Sequence, residues 1–125
     1  MSELTVLLVE DEPILRAAIR RLLEGEGYAV LEADQGAKAL ELLRDNNGQN
    51  IHLVLTDLRM PVMDGRQLAA ALARLYPRMP ILFMSGFTAQ LLDLRLVSPH
   101  VEVLAKPFRN QDLLVAVRRT IDQAV

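Results

Sequence analysis

Along the chain, short apolar runs alternate with longer segments in which apolar residues recur every three or four positions. The runs are Leu4–Val9, Tyr28–Leu31, His52–Thr56, Ile81–Met84 and Val101–Leu104. Each has the length of a strand and is apolar nearly throughout, the pattern of strands buried on both faces. After the first run, Ile14, Leu15, Ala18, Ile19, Leu22 and Leu23 mark one face of a helix, and Arg16, Arg20 and Arg21 fall on a solvated face. Pro13 suits its first turn, and Gly25 or Gly27 its end. Asp34 is the expected cap of a second helix carrying Ala37, Ala39, Leu40, Leu42 and Leu43, which frays from Asp45. Asp64 and Gly65 lead into a third with Leu68, Ala69, Leu72 and Leu75, stopped before Pro77. Thr88 is the expected cap of a fourth running through Leu96, and Asn110 of a fifth with Leu113, Leu114, Val117 and Ile121.

Five strands alternating with five helices predict an α/β fold, a mostly parallel sheet with helices on both faces. Right-handed crossovers then favour a flavodoxin-like (βα)5 three-layer sandwich with strand order 2-1-3-4-5. No repeat, low-complexity tract or linker interrupts the pattern, so residues 1–125 are expected to form a single domain.

Composition narrows the setting. The chain is 51% hydrophobic and 24% charged, enough for a real core on a soluble protein. A net charge of −2 gives no reason to expect a nucleic-acid partner. The absence of Cys excludes disulfides, cysteine metal sites and a cysteine nucleophile. The N-terminal stretch MSELTVLLVEDEP reaches acidic residues too soon for a signal peptide, and no run approaches the roughly 20 apolar residues of a membrane span. A cytoplasmic location without membrane contact is expected. The sequence carries no effector segment after Val125, so output is expected to pass through protein contacts, or the chain is one domain of a larger protein.

In sheets of this kind, ligands bind outside the carboxyl ends of the strands. The residues that follow the runs therefore matter. The first run is followed by Glu10 and Asp11, the third by Asp57, the fourth by Ser85 and Gly86, and the fifth by Lys106 and Pro107. Singly these have ordinary readings: Asp57 as a turn residue, Glu10 and Asp11 as helix caps, Lys106 as a surface turn. Together, on four central strands, they bring three carboxylates, a hydroxyl and an ammonium to one rim. Carboxylates held close repel unless a cation sits among them. With no His or Cys in the group, zinc does not suit, whereas Mg²⁺ takes such oxygen ligands together with a phosphate. Ser85 and Lys106 suit phosphate oxygens, and a carboxylate such as Asp57 can itself accept a phosphoryl group.

The segments LLVEDEP (7–13), LTDLRMPVMDG (55–65), FMSGFT (83–88) and VLAKPF (103–108) resemble the CheY-like receiver domain of two-component response regulators over essentially the whole chain. The resemblance implies that Asp57 is the phosphoacceptor. Glu10, Asp11, Asp57 and the backbone carbonyl of Arg59 would hold Mg²⁺, with Asp11 direct and Glu10 through water. Ser85 and Lys106 would contact the phosphoryl group, and the Lys106–Pro107 bond would be cis. The donor would be a histidine kinase or histidine phosphotransfer protein, and the phosphorylated face would meet a downstream protein effector. The domain would catalyse only its own phosphorylation and dephosphorylation. The last third, SGFTAQLLDLRLVSPHVEVLAKPF (85–108), is most similar to receivers of hybrid histidine kinases and to stand-alone receivers of the CpdR type.

The sequence also departs from the family pattern. Most receivers place Tyr or Phe three residues before the lysine, and this ring changes rotamer on activation. Val103 stands there, so Ser85 and Val103 as switch positions must work without an aromatic swing. Arg59 and Phe87 flank the phosphoryl position. Leu91, Leu92, Leu94, Leu96 and Val97 crowd the expected fourth helix, either in loose packing or as a docking face. Three other classes compete with this reading. A haloacid dehalogenase-type phosphatase needs a second Asp two residues beyond the nucleophile, where Arg59 stands. A flavodoxin-like cofactor binder needs a phosphate loop where Glu10, Asp11 and Glu12 stand. The third is a pseudo-receiver, an interaction module not controlled by phosphorylation.

Overall fold

The computed structural model describes residues 4–46, 50–58, 63, 65–85 and 101–123. Five parallel strands form one sheet in the order β2-β1-β3-β4-β5. They are β1 (Thr5–Val9), β2 (Ala29–Ala33), β3 (Leu53–Asp57), β4 (Ile81–Ser85) and β5 (Val101–Ala105). Four helices lie among the described residues: α1 (Pro13–Gly25), α2 (Gly36–Asp45), α3 (Gly65–Leu75) and α4 (Asn110–Gln123). This is the flavodoxin-like arrangement that the alternation predicts. The helix expected from Thr88 through Leu96 lies outside the described residues.

Side chains alternate across the sheet and divide the core into two layers. Leu7, Val9, Val54, Ile81 and Phe83 pack with Leu43 of α2 and Leu68 and Leu72 of α3. Val6, Leu8, Leu55, Leu82 and Met84 pack with Ile19 and Leu23 of α1 and Leu113 and Val117 of α4. The three inner strands are therefore apolar on both faces and almost fully buried. The edge strands β2 and β5 are mostly half-buried and tolerate Glu32 and Glu102.

Several local expectations are corrected. The apolar runs stop short of the true carboxyl ends of four strands. Asp57 and Ser85 are the last residues of β3 and β4, and Glu32 lies inside β2 rather than after it. Backbone pairing continues past the last apolar side chain, which an apolar count cannot register. The cap of α2 is Gln35, whose side chain accepts from the Ala37 N–H at 3.2 Å, not Asp34. Asn110 is already inside α4, and Arg109 takes the cap position, with its N–H donating to the Asp112 carboxylate at 3.0 Å. Asp112 reaches back as the third residue of a capping box does. Arg16 and Arg20 are not simply a solvated face. Both pair with Glu32, at 3.5 and 2.6 Å.

Two glycines are required by geometry. Gly27 has φ +97°, which L side chains rarely adopt. It ends α1 in a Schellman turn, with Gly27 N–H donating to the Glu24 carbonyl and Tyr28 N–H to the Leu23 carbonyl. Gly36 opens α2 against the segment beyond β3. Its N–H donates to the Met63 carbonyl at 3.2 Å, and a Cβ there would lie 2.8 Å from that oxygen. Gly36→Ala should therefore lower stability by about 1–3 kcal/mol in urea denaturation. Gly25→Ala is the control: a Cβ at Gly25 meets nothing within 4 Å, so that change should raise stability by about 0.4–1 kcal/mol. Equal midpoints for the two variants would remove the steric argument.

Candidate functional site

The strand register gathers the polar rim. β1 and β3 pair with Val9 opposite Thr56, so Glu10 and Asp57, one residue further on, emerge side by side. β3 and β4 pair with Asp57 opposite Met84, and β4 and β5 with Ser85 opposite Ala105, which places Lys106 next in line. Backbone bonds extend the sheet past its ends: Glu10 N–H donates to the Ala33 carbonyl at 3.0 Å, and Lys106 N–H to the Ser85 carbonyl at 2.8 Å. The Lys106–Pro107 peptide bond is cis.

Glu10, Asp11 and Asp57 each bring a carboxylate oxygen within 4.8 Å of the other two. Their surroundings differ. Glu10 is fully buried, Asp57 partly, and Asp11 is exposed. The Lys106 ammonium donates to Asp57 Oδ2 at 2.9 Å, an ion pair that remains partly open to solvent. Ser85 is buried at the end of β4. Val103 is half-buried opposite Phe83 and packs on the α2–α3 side of the core, and as a valine it has no ring of its own to swing. The Arg59 carbonyl, the fourth expected metal ligand, lies outside the described residues, as do Gly86 and Phe87.

Among the described residues, Glu10 carries the strongest electrostatic perturbation. One oxygen, Oε2, accepts from the Glu12 N–H at 3.2 Å, while Oε1 is buried with no hydrogen-bond partner among the described residues. Burial pushes its carboxyl up to about 8, with the neighbouring Asp11 adding to the rise and the Glu12 N–H opposing it. A buried carboxylate oxygen without a donor, beside two further carboxylates, fits a hard divalent cation bound through oxygen. The donor set contains neither imidazole nor thiolate, so it does not fit zinc.

Two further residues contribute from outside the polar rim. Thr56, fully buried one residue before Asp57, donates its hydroxyl to the Asp57 carbonyl at 2.9 Å. The signal was a polar β-branched residue within an apolar run. Arg16 reaches the Glu10 carbonyl at 2.8 Å, and helical spacing alone gives no sign of that.

The chain matches the response regulator receiver domain family over residues 6–118. It is 36% identical over 117 residues to the response regulator receiver protein CpdR of Brucella abortus (strain 2308), covering 93% of this chain and 95% of that protein. It is 34% identical over 120 residues to the sensor kinase CckA of the same organism, covering 95% of this chain but only 13% of the kinase. A response regulator receiver protein from Sinorhizobium medicae WSM419 superposes with a TM-score of 0.87 at 30% identity, covering 99% and 98% of the two chains. The receiver domain of the hybrid histidine kinase CckA gives a TM-score of 0.77 at 32% identity, covering 94% and 98%. The chain belongs to the response regulator receiver domain family and is a receiver domain of two-component systems. Such domains are in general signalling modules rather than enzymes. No helix among the described residues is long and apolar enough to cross a membrane.

The Glu10 perturbation has a stability signature. Its folded value lies above the ordinary 4.5, so the stability that its proton contributes is complete below that pH and is lost as pH rises through about 8. In EDTA, the thermal midpoint of the protein should fall between pH 5 and 8.5. Glu10→Gln, which keeps the shape and removes the charge, should flatten that slope. A slope that persists in Glu10→Gln would assign it to other groups.

Proposed function

We infer that residues 1–125 act as one receiver unit that takes a phosphoryl group from a phosphohistidine donor onto Asp57, with Mg²⁺, and thereby switches its protein contacts. One observation carries this reading: three carboxylates from the ends of two adjacent strands converge, and the one on β3 is also bonded to Lys106. Glu10, Asp11 and Asp57 would hold the cation, together with the Arg59 carbonyl. When bound, Mg²⁺ offsets the charge that gathers on the phosphoryl oxygens. An Asp57 carboxylate oxygen attacks phosphorus. An O–P bond forms as the donor's P–N bond breaks, and the imidazole nitrogen leaves with the electron pair. Lys106 holds its ammonium at the site before transfer, poised to exchange a carboxylate partner for a phosphoryl oxygen. Ser85, at the neighbouring strand end, supplies a hydroxyl for a second oxygen. The change passes outward through Ser85 and Val103 without an aromatic rotamer change. The domain catalyses only its own phosphorylation and dephosphorylation.

The partner reading follows from the same face. Leu15, Ile19 and Leu22 of α1 line an apolar groove with Pro107, Phe108 and Leu113, directly beside Lys106. Ile14 is 87% exposed at the head of α1. A histidine kinase or histidine phosphotransfer protein docking there would bring its phosphohistidine to Asp57. The relatives that include a sensor kinase support such a donor, a cytoplasmic setting suits it, and a protein effector would read the phosphorylated face.

Two experiments check these points. Incubation with acetyl phosphate and Mg²⁺ should add a single phosphoryl group by intact mass, EDTA should prevent it, and Asp57→Asn should abolish it. Phosphorylation that survives Asp57→Asn would refute the acceptor assignment. Ile14→Asp should slow transfer from a phosphorylated histidine donor by about tenfold while leaving acetyl phosphate labelling unchanged. Equal slowing with both donors would move the defect from docking to the site.

A further inference from the structure

Arg16 sits on the side of α1 that faces the acidic rim. Its Nη1 donates to the backbone carbonyl of Glu10 at 2.8 Å. Its Nε lies 3.5 Å from Oε1 of Glu32 on β2. The other oxygen of Glu32 accepts from Arg20 Nη1 at 2.6 Å. Glu32 is thus held by arginines from successive turns of α1, and its carboxylate in turn fixes the plane of the Arg16 guanidinium.

The consequence falls on Glu10 and Asp11. The Glu10 amide is tied to β2 through the Ala33 carbonyl, and its own carbonyl is tied to α1 through Arg16. With both ends fixed, the peptide plane between Glu10 and Asp11 cannot rotate freely. Asp11 is the exposed member of the acidic trio, and its carboxylate lies beside those of Glu10 and Asp57. Rotation of that peptide swings the Asp11 Cα–Cβ bond directly, so fixing the plane restricts where its carboxylate can reach.

We propose that Arg16 is a positioning residue for the cation site, acting through the Glu10 carbonyl to hold Asp11 toward Asp57. The proposal rests on the reading of Glu10, Asp11 and Asp57 as a Mg²⁺ site. Arginine suits the task because its planar fork presents separate donors to two acceptors at once, whereas an ammonium is a single point. The geometry and the charge of Arg16 predict opposite signs. A cation near three carboxylates opposes a second cation, so removing its charge alone would tighten Mg²⁺ binding. Losing the positioning bond would weaken it.

Calorimetric titration of Mg²⁺ into EDTA-stripped protein separates the two. Arg16→Gln should raise the Mg²⁺ Kd about tenfold, the lower end of the range for a group that orients a metal ligand. Arg16→Lys keeps the charge but not the fork, and should remain several-fold weaker than wild type. Circular dichroism and thermal midpoints in EDTA establish that each variant is folded. A Kd unchanged or lowered in Arg16→Gln overturns the proposal. If Arg16→Gln does not fold, a wild-type Kd in Arg16→Lys overturns it instead. Wild-type protein that takes up no Mg²⁺ overturns the cation reading and the proposal together. Binding in wild type with equal binding in Arg16→Gln overturns the proposal alone.

Discussion

Glu10 is fully buried at the end of β1, and one of its oxygens meets no donor among the described residues. An unpaired buried polar group costs about 1–3 kcal/mol, and a charged one more. The surroundings reduce that cost only in part. A backbone N–H from Glu12 reaches the other oxygen, and Lys106 is near enough to favour the charged form. The remainder is met by a retained proton or by a cation. Most of the rim geometry depends on this unresolved charge: Asp11 stays in water beside it, Asp57 is bonded to a lysine from another strand, and the loop backbone is tied on two sides.

Parallel pairing is what allows such a concentration of charge. In a parallel sheet every strand ends on the same side, so polar residues far apart in the chain meet at one rim. Asp57 and Lys106 are separated by 49 positions, and two strand registers bring them to 2.9 Å. The inner strands supply rigidity, being packed on both faces by large side chains such as Leu7, Leu55 and Phe83. The chemistry is carried by the residues at which that packing stops.

The sequence made the fold legible because burial on both faces leaves long apolar runs, and helices of ordinary amphipathic spacing separate them. The strand order followed from crossover handedness. The site was legible because its carboxylates and its lysine stand within two residues of the ends of the runs. Less legible was whatever depends on side chains reaching between elements. Arg16 and Arg20 have the spacing of a solvated face, and nothing in α1 indicates that Glu32 lies within reach. Gln35 and Asp112 took capping roles expected of Asp34 and Asn110, because neighbouring polar residues compete for the same N–H groups and the exact helix start decides between them. Gly36 could not be distinguished from any loop glycine until the Met63 backbone was seen against it.

The sheet is open, and its two edges have unequal protection. An exposed edge offers unpaired backbone groups to any strand of another molecule, the usual start of edge-to-edge aggregation. Here β2 and β5 each carry a glutamate, Glu32 and Glu102, one residue in from a strand end. On β2 the charge is further pinned by two arginines from α1. A foreign strand laid along that edge would have to desolvate this three-membered charge cluster. The same ion pairs that brace the acidic loop therefore also raise the cost of edge-to-edge pairing at β2. On β5 the strand's own charge is Glu102, which sets a desolvation cost for a foreign strand at that edge too.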